Sequence, residues 1–252
     1  MNNVGNATIE SNEIRDSGAG IRLYYSTNAR IYNNTIYDNI YGIHLYNNTS
    51  LEVYNNTIHD NNSYGIYLEY SADVQVYNNT VYNVVNTGIR LCYTTNTQIY
   101  NNTIYDNKYG LSIEHSNWNN ITLNTFIHDG MFDYLSYNLY VENNTVNNLP
   151  LEYLEGVSDV VIDYDIGQLI LVNCSDIMVM GNEMSPISQV VVAIELVSTK
   201  NVTLSDLTIN QTRFAIYVLC SNNTVVRNGV FFDNENGIEL MNYCIGSRIY
   251  NN

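Results

Sequence analysis

Apolar and polar residues alternate in short segments along almost the whole chain. The residue directly before most of these segments is glycine or alanine. The triplets after these residues run apolar, polar, apolar, as in Ile21/Leu23, Ile43/Leu45 and Ile66/Leu68. A period of two is typical of a β-strand that buries one face. The pattern therefore predicts strands, and nothing within a segment indicates a helix.

The residue before each triplet recurs at an interval close to 22 residues. These anchors are Gly20, Gly42, Gly65, Gly88, Gly110 and Gly130, and the series resumes at Gln168, Ala193, Ala215 and Gly237. A second apolar position follows eleven residues after an anchor and a third follows five residues later, as at Ile31 and Ile36. A fixed period of this length predicts a solenoid with three short strands per coil.

Three short strands cannot satisfy their own backbone hydrogen bonds, so each coil must pair with the next in parallel register. The chain is therefore predicted to be all-β, a three-sided parallel β-helix of about eleven coils in one domain over residues 1–252. Regular coils are expected over residues 1–130 and 169–252, with an irregular coil and an insertion near residues 131–168. Asp133 falls where an inward apolar residue is expected, which leaves the register open there.

Equivalent residues of successive coils stack on each other, which explains why the phrase at residues 30–46 returns at residues 98–114. One position of the repeat is Asn in successive coils, which predicts an internal ladder of asparagine side chains with a left-handed backbone bend at these residues. Its members are Asn34, Asn56, Asn79, Asn102, Asn124 and Asn144.

Two outward tyrosine columns are also expected, Tyr32 to Tyr100 and Tyr37 to Tyr105, the second interrupted by His59. We interpret them as cross-strand pairs that stabilise the sheet. Binding of sugars or of a neighbouring molecule is the alternative.

The amino-acid composition limits the binding partners and the cellular location that we expect for this protein. The chain has 9 Lys+Arg against 25 Asp+Glu, a net charge of −16 that opposes binding to nucleic acid or an anionic membrane. Only 13% of residues are charged while 24 are Tyr, which favours an extracellular or cell-surface protein. No apolar run approaches the roughly 18 residues that span a bilayer. The C-terminus stops in mid-coil, from which we expect the natural chain to continue.

Candidate chemistry is sparse. The sequence predicts no catalytic residue and no cofactor, and Cys92, Cys174, Cys220 and Cys244 show no C-x-x-C spacing. Cys220 and Cys244 fall near one phase of adjacent coils, so a disulfide is expected if the protein is secreted. Regularly spaced turn acids, Asp16, Asp38 and Asp60 among them, are calcium candidates, with turn capping as the alternative.

The sequence contains many candidate sites for N-linked glycosylation. The candidate acceptors that begin N-x-S/T sequons are Asn33, Asn55, Asn78, Asn101, Asn143, Asn201 and Asn222. In the recurring "NNT" turn the first Asn is the acceptor and the second is the ladder residue.

The phrases "IYNNTIYDNIYGIHLY" and "NNTVVRNGVFFDNENGIEL" resemble the right-handed parallel β-helix repeat, and "GQLILVNCSDIMV" resembles the NosD-type β-helix domains of archaeal surface proteins. The resemblance implies a right-handed coil. It does not settle function, because that superfamily includes pectate lyases, polygalacturonases, alginate epimerases, a copper-insertion factor and non-enzymatic surface modules.

The leading hypothesis is a non-catalytic extracellular module, a structural or adhesive rod that is glycosylated and stacks end to end as a homo-oligomer. The alternative is a carbohydrate-binding or polysaccharide-cleaving protein, a lyase or glycosidase, whose acids gather at residues 131–168. That alternative requires two carboxylates facing one groove.

Overall fold

The computed structural model describes residues 3–182, 184, 185 and 187–252. The described residues form short β-strands and no helix, so none of them forms an apolar helix of membrane-spanning length. Two compact units make up the chain, residues 1–144 and residues 145–252. Both are built from stacked parallel strands, which confirms the predicted fold class.

The first unit has three parallel sheets, here called faces A, B and C. The strands of face A are Ala19–Tyr24, Tyr41–Tyr46, Tyr64–Glu69, Thr87–Cys92, Tyr109–Glu114 and Met131–Tyr134. Those of face B are Thr8–Glu10, Arg30–Tyr32, Glu52–Tyr54, Gln75–Tyr77, Gln98–Tyr100, Asn120–Thr122 and Tyr140–Glu142. Those of face C are Glu13–Arg15, Thr35–Tyr37, Thr57–His59, Thr80–Tyr82, Thr103–Tyr105 and Thr125–Ile127.

Equivalent residues of successive coils are direct strand partners, as the repeat predicts. Ile21 pairs with Ile43, and Ile43 pairs with Ile66. Their side chains are buried, at 4% exposure for Ile21 and 0% for the other two. Burial of this apolar column is the main stabilising contribution inside the unit.

Glycine recurs at most anchor positions because there is no room for a Cβ atom inside the coil. A Cβ on Gly65 would lie 2.5 Å from the backbone oxygen of Gly88 and 2.6 Å from Cγ1 of Val81. No real side chain tolerates such distances. Glycine therefore recurs at this position because successive backbones approach each other closely.

The asparagine ladder is present inside the first unit. Nδ2 of Asn56 donates to Oδ1 of Asn79 at 3.0 Å and to the backbone oxygen of Ile31 at 2.9 Å. The backbone N–H of Asn56 also donates to Oδ1 of Asn79 at 3.0 Å. The same bonds continue from Asn12 to Asn144, and each ladder side chain from Asn34 onward is buried.

The expected left-handed bend lies one residue earlier than the ladder, so that prediction was wrong. Asn33 and Asn55 have φ of 55° and 54°, and both are exposed, whereas no positive φ is found at Asn34 or Asn56. The bend turns the chain outward at the first Asn of each pair. The second Asn can then direct its amide into the coil.

A second internal ladder, which the sequence analysis did not anticipate, follows face C. The backbone N–H and Nδ2 of Asn39 donate to Oδ1 of Asn61 at 3.0 and 3.2 Å. At the same turn position of later coils, Nδ2 of Asn107 donates to Oδ2 of Asp129, whose side chain is buried at 1% exposure.

The regular coil continues through the segment where the register was left open. Asp133 pairs with Ile113 in face A and is fully buried. Its Oδ1 accepts a hydrogen bond from the backbone N–H of Ser136 at 3.1 Å. Asp133 therefore does occupy an inward position, and a local hydrogen bond accommodates its carboxylate.

The second unit begins with an antiparallel hairpin, Thr145–Val146 with Leu149–Glu155. Three parallel sheets follow. The first contains Leu149–Glu155, Gln168–Val172, Val192–Val197, Phe214–Leu219 and Asn236–Met241. The second contains Val161–Ile162, Met178–Met180, Thr203–Ser205, Val225–Arg227 and Arg248–Tyr250, and the third contains Ile187–Ser188, Thr208–Asn210 and Val230–Phe232.

The core of the second unit follows the predicted triplets. Leu169, Ile194 and Ile216 are successive strand partners, and all are fully buried. Gln168 takes the anchor position and is also buried, because its Nε2 donates to the backbone oxygen of Val192 at 2.8 Å.

Candidate functional site

The outer surface of face A carries the densest group of titratable and aromatic side chains in the first unit. His44, Tyr67 and Arg90 are strand partners in one outward column, and Glu69, Cys92 and Glu114 form the column next to it. The sequence analysis did not single out this surface. Strict alternation along each strand, with Ile and Leu pointing inward, puts these residues outside.

His44 lies between aromatic rings. It stacks on Tyr67 with ring centroids 5.0 Å apart and on Tyr41 at 5.3 Å. Its Nε2 is 3.7 Å from Oε2 of Glu69, and neither ring nitrogen has a hydrogen-bond partner among the described residues. Burial, and then the charge of Arg22, lower the pKa of His44 below its usual value. The imidazole is therefore neutral at neutral pH.

Arg90 lies at the other end of this group of outward side chains on face A. Its guanidinium pairs with the carboxylate of Glu114 and lies over the ring of Tyr64, 5.3 Å from the centroid. Burial is the main cause that raises the pKa of Tyr67 far above its usual range, and it also raises the pKa of the Cys92 thiol. Both groups remain protonated, so neither is an activated nucleophile.

A shallow depression of about 430 Å³ opens beside His44, lined by Tyr24, Tyr25, Tyr46 and Glu69. Tyr46 meets the rings of Tyr24 and Tyr25 edge to face, at centroid distances of 5.7 and 5.8 Å. Edge-to-face packing covers one face of one ring in each pair and does not stack ring on ring. Aromatic faces beside a carboxylate can bind the apolar face and the hydroxyls of a sugar.

Glu69 and Glu114 lie on either side of Cys92 in the same outward column. Two strand spacings place their Cα atoms about 10 Å apart. This spacing brings two acids to one surface, which glycoside hydrolysis requires. It lies on face A, whereas the sequence suggested acids at residues 131–168.

A second concavity, of about 470 Å³, runs beside face B over the floor formed by Ala29 and Leu51. Its walls are polar. They include Arg30, Glu52, Asp73, Gln75, Asn96 and Gln98. Arg30 Nε is 3.7 Å from Oε2 of Glu52, so one of its acids is paired.

The tyrosine columns of faces B and C stack ring on ring. Tyr54 stacks on Tyr32 and on Tyr77 with centroids 4.8 and 5.0 Å apart. His59 does not break its column, because its ring stacks on Tyr37 at 5.0 Å and on Tyr82 at 4.9 Å. The ring faces are covered by neighbouring rings, which favours the sheet-stabilising interpretation over sugar stacking.

The other predicted sites are dispersed over the surface. Asp16, Asp38 and Asp60 are exposed turn residues with positive φ, and Asp60 Oδ2 lies 2.7 Å from Nδ1 of His59. Within the described ranges, no three His, Cys, Asp or Glu side chains form a group that could hold a metal ion. The candidate acceptors Asn33, Asn55, Asn78, Asn101, Asn143, Asn201 and Asn222 are all exposed.

Cys220 and Cys244 are both free thiols in this structure. Cys244 Sγ donates to the backbone oxygens of Val218 and Met241, at 3.5 and 3.1 Å. Ser221 makes equivalent bonds to Leu196 and Leu219 one coil earlier. Cys244 therefore has the phase of Ser221 rather than that of Cys220.

The family model described as "Right handed beta helix region" matches residues 1–146. The chain belongs to this right-handed β-helix family. A second model, described as "Periplasmic copper-binding protein (NosD)", matches residues 154–252 of the β-helix. Both parts of the resemblance seen in the sequence are thereby confirmed.

The residues of this chain do not fit the copper site that the second description names for its family. Residues 154–252 contain no histidine. The described part of that segment also brings no three His, Cys, Asp or Glu side chains together. The described residues of this segment therefore offer no His, Cys, Asp or Glu cluster that would hold copper.

Solved structures share the β-helix fold at low identity. They include a double mutant of the periplasmic alginate epimerase AlgG, at 14% identity and a TM-score of 0.51, covering 99% of this chain and 60% of that chain. The A-module of Azotobacter vinelandii mannuronan C-5 epimerase AlgE6 has 13% identity and a TM-score of 0.49, covering 97% and 79%. A DFA-IIIase from Arthrobacter chlorophenolicus A6 in complex with GF2 has 17% identity and a TM-score of 0.45, covering 79% and 45%.

The chain spans about half the length of the DFA-IIIase structures that it matches, 45% of one and 53% of another. At these identities the likeness concerns the fold alone. No curated protein matches the sequence significantly.

Proposed function

We propose that this β-helix is a rigid, non-catalytic module that acts outside the cytoplasm as a structural or adhesive element. The observation that carries the proposal is the continuity of its side-chain ladders in the first unit. Asn34, Asn56 and Asn79 link coil to coil inside, while Tyr32, Tyr54 and Tyr77 stack outside. Contacts that repeat from coil to coil hold neighbouring coils in register, which a rigid scaffold requires.

The charges on face A support a non-catalytic role. Glu69 lies against His44, and Glu114 pairs with Arg90. The phenol of Tyr67 and the thiol of Cys92 have raised pKa values. A carboxylate held by a guanidinium, as Glu114 is by Arg90, and protonated nucleophiles do not supply the activated group that bond cleavage needs.

Location and modification belong to the same proposal. The low share of charged residues and the exposed sequons suit a secreted or surface-attached protein that carries glycans. Intact-mass measurement of native material, before and after enzymatic deglycosylation, tests this directly. End-to-end association of copies also stays a prediction, and sedimentation velocity over a range of concentrations checks it.

A second candidate function is favoured by one observation, the acid Glu69 in the wall of the aromatic depression, with Glu114 two strands away on the same face. It is carbohydrate binding or cleavage on face A. The two functions are separated by incubating the purified protein with a panel of neutral and acidic polysaccharides. Product release and equilibrium binding are measured for the parent and for the Glu69→Gln and Glu114→Gln variants.

For a structural module we expect no product release, and binding that neither substitution changes. Release of oligosaccharides that both substitutions abolish would overturn the non-catalytic proposal. Glu142→Gln is the matched control, since Glu142 is exposed on face B and its Oε2 accepts a hydrogen bond from Tyr140.

A further inference from the structure

The tyrosine column of face B is a continuous stack of phenol rings. Tyr32, Tyr54, Tyr77 and Tyr100 have successive centroid distances of 4.8, 5.0 and 4.9 Å. The planes of neighbouring rings differ by 8°, 4° and 5°. Because the strands pair residue for residue, each ring has one fixed neighbour above and one below.

Other tyrosine pairs on the first unit stack at a similar spacing. Tyr82 and Tyr105 of face C lie 4.7 Å apart with planes 3° from parallel, and Tyr70 and Tyr93 lie 5.1 Å apart at 5°. Between Tyr37 and Tyr82 the column contains His59. Tyr37 consequently has no tyrosine as its stacked neighbour on that side.

The column residues are half-buried, and some of their hydroxyls face proton acceptors. Tyr37 Oη donates to Oε1 of Glu13 at 2.6 Å, and Tyr100 Oη donates to Oε1 of Gln75 at 3.3 Å. Removing an electron from a phenol is easier when its proton has a place to go. A carboxylate or amide oxygen, or solvent at the exposed ring edge, can receive that proton.

We propose that the stacked columns are modification sites at which an oxidant of the peroxidase type couples tyrosines of successive coils. Each of two phenols loses one electron and one proton and becomes a phenoxyl radical. The two radicals join through a new carbon–carbon bond between ring positions ortho to the oxygens, and the rings regain aromaticity when their ortho hydrogens move to the oxygens. One hydrogen peroxide accepts the two electrons and two protons and becomes two waters.

Geometry selects the partners in this reaction. A radical on Tyr54 meets Tyr32 or Tyr77 before any ring of another molecule, since both are held about 5 Å away. Edge-to-face pairs such as Tyr24 and Tyr46, at 5.7 Å and 90°, place ring edges against ring faces. The product ties together coils that are 22 or 23 residues apart in sequence, which goes beyond the scaffold role proposed above.

The test oxidises the full chain at low concentration with a peroxidase and hydrogen peroxide, and separately with photogenerated tris-bipyridyl ruthenium(III). The monomer is then isolated, its dityrosine fluorescence is measured, and linked peptides are mapped by mass spectrometry. We expect linked peptides joining Tyr32 to Tyr54, Tyr54 to Tyr77, Tyr77 to Tyr100, Tyr82 to Tyr105 and Tyr70 to Tyr93. Each link lowers the mass by two hydrogens, and the oxidised monomer unfolds at a higher temperature.

Tyr54→Phe keeps a stacked ring but removes the phenol, so links at this position should disappear while the link between Tyr82 and Tyr105 remains. Tyr243→Phe is the matched control, because Tyr243 is 89% exposed. It should leave every column link unchanged. The proposal is overturned if links form only between molecules, if edge-to-face pairs couple as readily as stacked pairs, or if Tyr54→Phe leaves the map unchanged.

Discussion

Nδ2 of Asn107 donates a hydrogen bond to Oδ2 of Asp129 in the following coil, at 2.9 Å. Asn107 and Asp129 occupy the same turn position as Asn39 and Asn61, with Val84 in the coil between the two pairs. Asp129 is 1% exposed, and its Oδ1 has no hydrogen-bond partner among the described residues. Burial raises the pKa of Asp129 well above the ordinary value of 3.8, and the charge of Asp106 raises it further.

This raised pKa predicts that the protein loses stability as the pH rises. The folded state holds a proton on Asp129 at pH values where the unfolded state, with a pKa near 3.8, has released it. The contribution of Asp129 to stability is therefore fully present below the unfolded value and is lost as the pH rises through the folded pKa. The slope is at most about 1.4 kcal/mol per pH unit. Denaturant unfolding measured from pH 4 to pH 8 checks it.

Asp129→Asn should remove that slope and raise stability at neutral pH, because an amide restores the ladder without a charge. Asp38→Asn is the control, since Asp38 is an exposed turn residue beside Asn39. A parent slope that persists in Asp129→Asn would refute the assignment.

Asn56→Ala should destabilise the protein by about 3 kcal/mol, because several buried backbone groups lose their partners. The oxygens of Ile31 and Tyr54 lose a donor, and the N–H of Asn34 loses its acceptor. Asn55→Gly changes the adjacent exposed residue, whose φ of 54° suits glycine. It should stay within about 0.5 kcal/mol of the parent. Equal effects of the two variants in chemical denaturation would contradict the ladder's role.

Two glycines at the same phase of the repeat should respond differently to alanine. Gly65→Ala places a Cβ 2.5 Å from the backbone oxygen of Gly88, so we expect a loss of about 1–3 kcal/mol. Gly237→Ala meets no atom within 4 Å and should be neutral or slightly stabilising. Thermal unfolding followed by circular dichroism distinguishes them, and a neutral Gly65→Ala would show that the coils separate readily.

The disulfide between Cys220 and Cys244 stays a prediction. Cys244 would have to give up its contacts with Val218 and Met241 to form it. If oxidative expression forms the link, it closes a loop of about 24 residues and stabilises by about 3 kcal/mol. Alkylation followed by intact-mass measurement without reductant should then show that Cys220 and Cys244 do not react with the reagent. The buried Cys92 and Cys174 should remain reduced. Four alkylated thiols after oxidation would exclude it.

The sequence predicts the features that repeat, because repetition records fit between neighbouring coils. The inward triplets, the asparagine ladder and the tyrosine columns each recur at intervals close to 22 residues and can be read without a structure. The left-handed residue was misplaced by one position, since both residues of "NN" suit such a bend and only the fold decides which amide points inward.

The candidate site could not be read in the same way. The outward column of face A changes from His44 to Tyr67, Arg90 and Ser112, so no period marks it. The burial of Asp129 was equally hidden, because a carboxylate at a turn is usually solvated, whereas the repeat did mark Asp133 as an inward position. Their environment depends on neighbours in adjacent coils.

The asparagine ladder also has a mechanical consequence. Pulling on one end of the first unit loads one coil boundary at a time, and the amides across that boundary must break together before the next boundary bears the force. Each rupture releases roughly 22 residues, or about 75 Å of extended chain. A force–extension trace would then be a sawtooth with nearly equal teeth.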